Sequence, residues 1–301
     1  MRIFITGGTG FIGTAVVHDL IAAGHDVAGL ARSDRSAGAL TEAGAKVIRG
    51  SLDDLEVLQD AARASDGVIH VAFPPDWDDF NATVAADRRV IAALGEAVAG
   101  SDRSLVIASG TALMRPGQVL DENDLGDPAS AGPRRETEQD LLKMSGEGVR
   151  GVVVRLGTSV HGQADRSGFI PGFIAAAREH HASAYIGTGD NRWPAVHQLD
   201  AARVFRLAAE SAPAGSILHA VGDEGIPFRD IAERIGKHLN LPTISLEEAD
   251  APRHFSEFGE LAFITGQDIP ASSALTQSVI DWQPQHPGLL EDLDQGFYFT
   301  R

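Results

Sequence analysis

Short apolar runs alternate with segments of helical periodicity along the first half of the chain. The apolar runs predict strands at residues 2–5, 26–30, 46–48, 67–72, 104–109 and 151–156. Between these runs, apolar residues recur every three or four positions, which predicts helices at 11–23, 36–43, 53–64, 80–99 and 133–146. Because nearly continuous apolar strands alternate with helices, we expect an α/β fold with a doubly wound parallel sheet that is buried on both faces.

The pattern changes after about residue 158, where glycine, proline and aromatic residues become frequent and the helical segments are interrupted, at 167–181, 200–210, 227–239 and 271–280. We expect a dinucleotide-binding Rossmann domain at 1–157 plus about 199–222. A smaller C-terminal substrate-binding part would comprise 158–198 plus 223–301 and cover the carboxyl edge of the sheet, where open α/β sheets bind ligands. The helix and strand at 200–222 would fit either part.

A glycine-rich loop, Thr6-Gly-Gly-Thr-Gly-Phe-Ile-Gly13, joins the first strand to the first helix. At this place glycines permit a tight turn, the close approach of a pyrophosphate, and close packing of helix on strand. The free N–H groups of the helix N-terminus favour phosphate. The loop predicts a nicotinamide dinucleotide site, although glycines that only form turns would give the same pattern. The predicted cofactor-binding residues are Thr6, Gly7, Gly10, Phe11, Ile12 and Gly13.

The end of the second strand indicates which dinucleotide is preferred. An acidic residue there accepts from the 2′-hydroxyl of NAD, whereas a basic residue suits the 2′-phosphate of NADP. This strand ends in Ala31-Arg-Ser-Asp34. We therefore predict NADP(H), with Arg32 and Ser33 at the 2′-phosphate. Asp34 and the alternative that Arg32 is a solvated surface residue leave NAD(H) possible.

Composition narrows the class of protein. The 301 residues include 25 basic and 42 acidic side chains, a formal net charge of −17, which disfavours binding to nucleic acid or to an anionic membrane surface. No apolar run approaches the roughly 20 residues of a membrane-spanning helix. There is no cysteine, and no set of side chains has metal-ligand spacing, so we expect no disulfide and no metal. Met1 leads directly into the first strand with no apolar leader, which favours a cytoplasmic protein.

These features resemble the short-chain dehydrogenase/reductase superfamily, extended type, which includes the NAD-dependent epimerases and dehydratases. Besides the loop, the resemblance is carried by five motifs, Gly50-Ser-Leu-Asp53, His70-Val-Ala72, Ser109-Gly-Thr111, Arg155-Leu-Gly-Thr-Ser-Val-His-Gly162 and Val196-His-Gln-Leu-Asp200. The resemblance implies that Leu52 lies beside the adenine, Ala72 beside the adenine ribose and Leu156 near the nicotinamide. It also suggests a homodimer packed through the helices at 80–99 and 133–146.

The chain departs from this superfamily at the catalytic signature, a Tyr followed four residues later by a Lys. Neither of its two tyrosines, Tyr185 and Tyr298, precedes one of its three lysines at that spacing. Aligned on the superfamily's downstream Glu, here Glu138, the Tyr position falls at Ser130 and the Lys position at Arg134. The sequence is thus similar to atypical members that keep the cofactor site and lack the catalytic Tyr.

Four residues are candidates for the chemistry. Arg134 would hold the nicotinamide ribose or polarise a carbonyl, because a guanidinium is too weak an acid to donate the proton. Ser109 or Thr111 would bind the substrate oxygen, and His161 would give the proton, since imidazole titrates near neutral pH. The alternatives remain open: Arg134 and Arg135 facing solvent, hydroxyls that cap a turn, and a structural histidine. His70, inside an apolar strand, is interpreted as a core residue.

The substrate pocket would be lined by aromatic residues at 73–77 and 169–173, by Trp193, and by Arg192 for a polar group, unless the aromatic residues are simply core. The leading hypothesis is an NADP(H)-dependent oxidoreductase that interconverts a carbonyl and an alcohol on a small or medium organic substrate. A non-catalytic dinucleotide-binding sensor or regulator is the alternative. A sugar-nucleotide epimerase or dehydratase is less well supported, because those reactions begin with the missing Tyr.

Overall fold

The computed structural model describes residues 1–73, 79–112, 117–125 and 134–300. Its strands are β1 Arg2–Thr6, β2 Asp26–Ala31, β3 Lys46–Arg49, β4 Gly67–His70, β5 Ser104–Gly110, β6 Arg150–Leu156, β7 Ser159–His161, β8 Ser183–Ile186, β9 Arg192–His197, β10 Ser216–Ala220, β11 Asp223–Pro227 and β12 Thr243–Leu246. Its helices are α1 Phe11–Ala22, α2 Asp34–Glu42, α3 Leu55–Arg63, α4 Phe80–Val98, α5 Arg134–Ser145, α6 Phe169–Glu179, α7 Gln198–Ser211, α8 Phe228–Leu239, α9 Ala251–His254, α10 Ala274–Ile280 and α11 Leu289–Asp294. Short 3-10 segments run over Glu248–Asp250 and Ser256–Gly266.

The main sheet has seven strands in the order β10-β6-β5-β4-β1-β2-β3. Every neighbouring pair is parallel. Six of its strands have the order 3-2-1-4-5-6, which is the doubly wound Rossmann topology. The predicted α/β fold is confirmed. The order in which strands are added to the sheet reverses between β1 and β4, and this switch point creates the crevice in which such sheets bind ligands.

Successive side chains of a strand point to opposite faces, and this alternation builds two apolar cores. Ile3 and Ile5 of β1 pack with α1 and α7 on one face. Phe4 of the same strand packs on the other face with α3, α4 and α5. Both faces are covered, which is why apolar residues predominate in the middle of the strands.

A smaller assembly follows β6. It contains a three-stranded sheet, β11-β9-β7, and a two-stranded sheet, β12-β8. Its core is aromatic, with Phe173, Trp193, Phe228 and Phe255 among its members. By contrast, β10 is the edge strand of the main sheet beside β6, and α7 packs on the α1 face of that sheet.

Several element ends differ from the sequence prediction for local reasons. Helix α2 begins at Asp34 rather than at 36, because Ser33 and Ser36 form a capping box. Helix α10 begins at Ala274 rather than at 271, because Ala271 is extended and pairs with Leu120. Strands β7, β8, β9, β11 and β12 were not predicted. Within the described residues, no helix combines the length and apolar character needed to cross a bilayer.

Candidate active site

The glycine loop is packed too tightly for side chains at two of its positions. Gly7 has φ +77°, and a Cβ there would lie 2.6 Å from the backbone nitrogen of Ala72. A Cβ on Gly13 would lie 2.0 Å from the carbonyl oxygen of Gly7. Gly10 is the N-cap of α1, and a Cβ there would meet only the Gly7 oxygen, at 3.4 Å. The loop therefore brings bare backbone and uncapped helix N–H groups to the carboxyl edge of β1, which fits a pyrophosphate.

A cleft of about 170 Å³ lies beside the loop. It contains Leu52 and Ala72, the two residues for which the resemblance implied contact with the adenosine, so the fold brings them together. The remaining lining residues are Asp53, Leu55, Phe73, Thr83, Ala86, Asp87, Arg89 and Val90. The mixture of apolar walls with a few polar groups is typical of a site for a nucleoside.

The charged residues that follow β2 differ in whether they have an ion-pair partner. Arg32 is exposed and has no ion-pair partner among the residues described. The hydroxyl of Ser33 accepts from the backbone N–H of Ser36 as the cap of α2. Asp34 forms an ion pair with Arg49, 2.6 Å between Oδ1 and Nη2, so its charge is offset. Among the described residues, Arg32 is therefore a cation just after β2 that no carboxylate neutralises.

Arg134 is turned inward from the first turn of α5. Its Nη1 lies 2.9 Å from Oδ2 of Asp87, its Nη2 donates to the carbonyl oxygen of Ala108, and its guanidinium lies 4.0 Å from the ring centroid of Phe73. Burial lowers the pKa of Arg134, against the opposing effect of Asp87. Arg135 is also buried. The alternative that both arginines face solvent is therefore wrong.

The carboxyl ends of β5 and β6 bring the predicted hydroxyl residues together. Ser109 Oγ donates to Oε1 of Glu138 at 2.5 Å. Thr111 is buried, and its hydroxyl lies 3.3 Å from the carbonyl oxygen of Leu156. Since Arg134 contacts Ala108, the residue before Ser109, the three predicted side chains at this edge belong to one small region. The edge combines hydroxyls and a guanidinium, which can bind an oxygen that gains negative charge.

Beneath this edge is a buried ionic cluster that sequence reasoning missed. Arg155 of β6 is fully enclosed and donates to Glu138, with Nη2 2.7 Å from Oε2. Arg135 donates to the same oxygen at 2.6 Å. The sequence did contain one indication of this cluster, because Arg155 lies in the apolar run of β6 and a buried Arg requires a counter-ion. A similar signal marks Asp87, which lies on the buried face of α4.

His161 is enclosed in the smaller assembly. Its Nδ1 lies 2.7 Å from Oδ2 of Asp292, and its ring contacts His197 edge to face at 5.4 Å between centroids. Its Nε2 has no hydrogen-bond partner among the described residues. Burial and the neighbouring His161 lower the pKa of His197 to about 4. The sequence predicted His161 as the proton donor but did not indicate Asp292, which is 131 residues away.

The predicted pocket lining is only partly found. Trp193 is fully buried and packs between Phe169, Phe173 and Phe228, so it belongs to the aromatic core rather than to a pocket wall. Arg192 is engaged by Asp268 through two contacts of 2.9 and 2.8 Å. Residues 74–77 of the predicted lining, and position 130 where the superfamily has its Tyr, lie outside the described residues.

Comparison with known proteins finds one matching family and several relatives of similar length. The sequence profile of the NAD dependent epimerase/dehydratase family matches residues 3–220. The uncharacterized protein YLL056C of Saccharomyces cerevisiae is 43% identical over 295 residues, which is 97% of this chain and 98% of the relative. The 4-hydroxy-2-methyl-3-oxo-4-farnesyl-3,4-dihydroquinoline-1-oxide ketoreductase of Stigmatella aurantiaca is 27% identical over 90% of this chain and 84% of its own length. The solved structure of MoeE5 in complex with UDP-glucose and NAD covers 100% of this chain and 99% of its own, with a TM-score of 0.75 and 22% identity, and it shows the fold alone.

Proposed function

The chain belongs to the NAD dependent epimerase/dehydratase family, and from that premise we propose that it is an NADP(H)-dependent oxidoreductase. Its substrate would be a small or medium organic molecule on which it interconverts a carbonyl and an alcohol. The observation that carries the proposal is the pairing of an intact glycine loop, after β1, with the Ser109, Thr111 and Arg134 side chains two strands further along the same sheet edge, after β5. The ketoreductase from Stigmatella aurantiaca supports the reaction type.

The residues would divide the work as follows. The loop of Thr6 to Gly13 binds the pyrophosphate through backbone N–H groups, with Phe11 and Ile12 opening the helix behind it. The reduced nicotinamide, when bound, would supply the hydride for the carbonyl carbon. Ser109 or Thr111 orients the carbonyl oxygen after its hydroxyl proton turns away from its present acceptor, Glu138 or the Leu156 carbonyl. Arg134 holds the ribose or stabilises the negative charge that develops on the carbonyl oxygen.

The oxygen must also receive a proton. His161 is one candidate donor, and water is the other. A general acid must lie within hydrogen-bond reach of the oxygen that receives the proton. Since the His161 ring is enclosed by Asp292 and His197, we favour water as the proton donor. His161 then serves to fix the smaller part, residues 158–198 and 223–301, which we propose as the substrate-binding part.

The preference for NADP(H) rests on Arg32. The 2′-phosphate of NADP is an anion that a free guanidinium binds through charge-assisted hydrogen bonds. Asp34, the nearby carboxylate that would repel the phosphate, is already paired with Arg49. NAD(H) binding remains compatible with the loop and the cleft, which contact parts of the molecule that both dinucleotides share.

The first test is a nicotinamide-fluorescence titration of the purified protein with NADPH and with NADH. We expect NADPH to bind at least about tenfold more tightly, and Arg32→Ala to abolish most of that difference, because a charge-assisted contact to the 2′-phosphate is lost. Arg35→Ala is the matched control, since Arg35 is also exposed but lies inside α2. Preference for NADH would overturn the NADP assignment. Binding of neither dinucleotide would overturn the oxidoreductase proposal.

A second candidate, a dinucleotide-binding sensor, is favoured by one observation, the absence of the Tyr-x-x-x-Lys pair. A screen of carbonyl compounds with the preferred dinucleotide separates the two. Nicotinamide oxidation that falls in Thr111→Ala and Arg134→Ala supports the enzyme. Tight binding without oxidation across a broad panel supports the sensor.

A further inference from the structure

A continuous line of polar contacts connects the glycine loop to Arg134. Oγ1 of Thr6 lies 2.6 Å from Nδ1 of His70, and Nε2 of His70 lies 2.9 Å from Oδ1 of Asp87. The other oxygen of Asp87 lies 2.9 Å from Nη1 of Arg134. Thr6, His70 and Asp87 are all buried, so these contacts are shielded from water and from salt. The line joins β1, β4, α4 and α5, and its member Asp87 also lines the cleft.

The chemistry of Asp87 sets the direction of these hydrogen bonds. An ionised carboxylate can only accept, so Nη1 of Arg134 and Nε2 of His70 both donate to it. When the His70 ring carries a single proton, its Nδ1 is then an acceptor and receives the hydroxyl proton of Thr6. Each oxygen of Asp87 is committed to a different partner, and the buried carboxylate has the counter-charge that it requires.

We propose that Asp87 is a positioning residue that aims the guanidinium of Arg134 at the cofactor and substrate side of the sheet edge, a role that rests on the proposed function of Arg134. A planar guanidinium is fixed only when acceptors meet more than one of its nitrogens. Asp87 holds Nη1, the Ala108 carbonyl holds Nη2, and Phe73 covers one face. Among the residues that the structure describes, no acceptor meets the second N–H of either nitrogen or the Nε–H, and these three groups can donate to a ligand.

Asp87→Asn is the variant that tests this role. The amide offers one acceptor oxygen in place of two, but His70 can exchange tautomers and accept from the amide NH₂, so the buried neighbours keep their hydrogen bonds. The substitution therefore removes the charge on Asp87 while preserving its shape. The matched control is Asp140→Asn, because Asp140 pairs with Arg88 at 2.6 Å and thereby joins the same two helices on their outer side.

The experiment is a double-mutant cycle with Arg134→Gln. Two values are measured for each protein, the dissociation constant of NADPH and, with a carbonyl substrate found in the screen, kcat. Whichever value Arg134→Gln worsens, we expect Asp87→Asn to worsen it in the same direction by about fivefold, because the hydrogen bond from Arg134 is weakened when its acceptor loses its charge. In the Arg134→Gln background Asp87→Asn is expected to add less than about twofold, because coupled residues are not additive. Asp140→Asn should match the wild type.

The possible results distinguish the positioning role of Asp87 from the proposed role of Arg134. Wild-type values for Asp87→Asn beside impaired Arg134→Gln would overturn the positioning role and leave the proposed function intact. A full additional loss in the double variant would show that Asp87 acts independently of Arg134, which also overturns it. Wild-type values for Arg134→Gln would overturn the assigned role of Arg134 itself. Should Asp87→Asn fail to fold, Asp87→Glu, which keeps the charge but displaces it, must show the same dependence on Arg134.

Discussion

Replacing Glu138 with glutamine removes the negative charge at the centre of the buried ionic cluster. Glu138 accepts from Arg155, from Arg135 and from the hydroxyl of Ser109. Glutamine offers one acceptor oxygen, and its NH₂ group can donate to Ser109 after the hydroxyl rotates. At least one guanidinium N–H then faces a donor instead of an acceptor, and two buried cations lose their counter-ion.

The expected magnitude follows from the burial. The Glu138 side chain is 3% exposed, and Arg155 is 0% exposed, so solvent cannot replace the lost contacts. Breaking a buried ion pair by removing one partner costs about 3–5 kcal/mol. Because the amide keeps one hydrogen bond, we expect the lower end, about 3 kcal/mol. For a chain of this size this corresponds to a decrease in Tm of roughly 6 °C.

Thermal unfolding followed by circular dichroism at neutral pH measures this decrease. Glu136→Gln is the matched control, since it makes the same chemical change two residues earlier in α5, at a side chain that is 60% exposed. We expect its Tm to stay within about 1 °C of the wild type, as for most surface substitutions. If the two variants melt at the same temperature, the buried cluster contributes no net stability and the reasoning from desolvation is refuted.

Two further predictions concern pH and the glycine loop. Burial lowers the pKa of three histidines to about 4; these are His197, His219 and His254. Between about pH 4 and 6.5 the unfolded chain therefore binds more protons than the folded chain, and the free energy of unfolding decreases as the pH falls. The slope of this decrease approaches about three protons. Burial raises the pKa of Asp165, which contributes to the pH dependence with the opposite sign. Urea unfolding at pH 7 and at pH 5 measures the net effect, and an equal midpoint at the two pH values would contradict the prediction. Gly13→Ala places a Cβ 2.0 Å from the Gly7 oxygen and is expected to abolish dinucleotide binding in the fluorescence titration. Gly38→Ala is the control and should leave binding unchanged, because a Cβ there meets nothing within 4 Å. Equal binding by the two variants would contradict the packing argument.

The order of strands and helices in the first half of the chain was predictable from the sequence because each element is a local pattern. Apolar runs with both faces buried, and helical periodicity between them, depend on residues within one segment. The glycine loop was also readable, since its three glycines answer requirements of the turn itself, seen at Gly7 and Gly13. The short strands were not predicted, because β8 pairs with β12 some sixty residues later and has no periodicity of its own.

What only the tertiary structure decided is which polar groups meet. Arg134 and Asp87 are 47 residues apart, and His161 and Asp292 are 131 residues apart. Alignment on Glu138 predicts that Arg134 stands where the superfamily has its Lys, but the sequence left open whether that side chain faces solvent or the site. Burial resolved the choice, because a charge removed from water must find a counter-charge, and the partner lies on whichever element the fold packs against it. The same physics placed His161 in an enclosed pair, a position that no local pattern could have indicated.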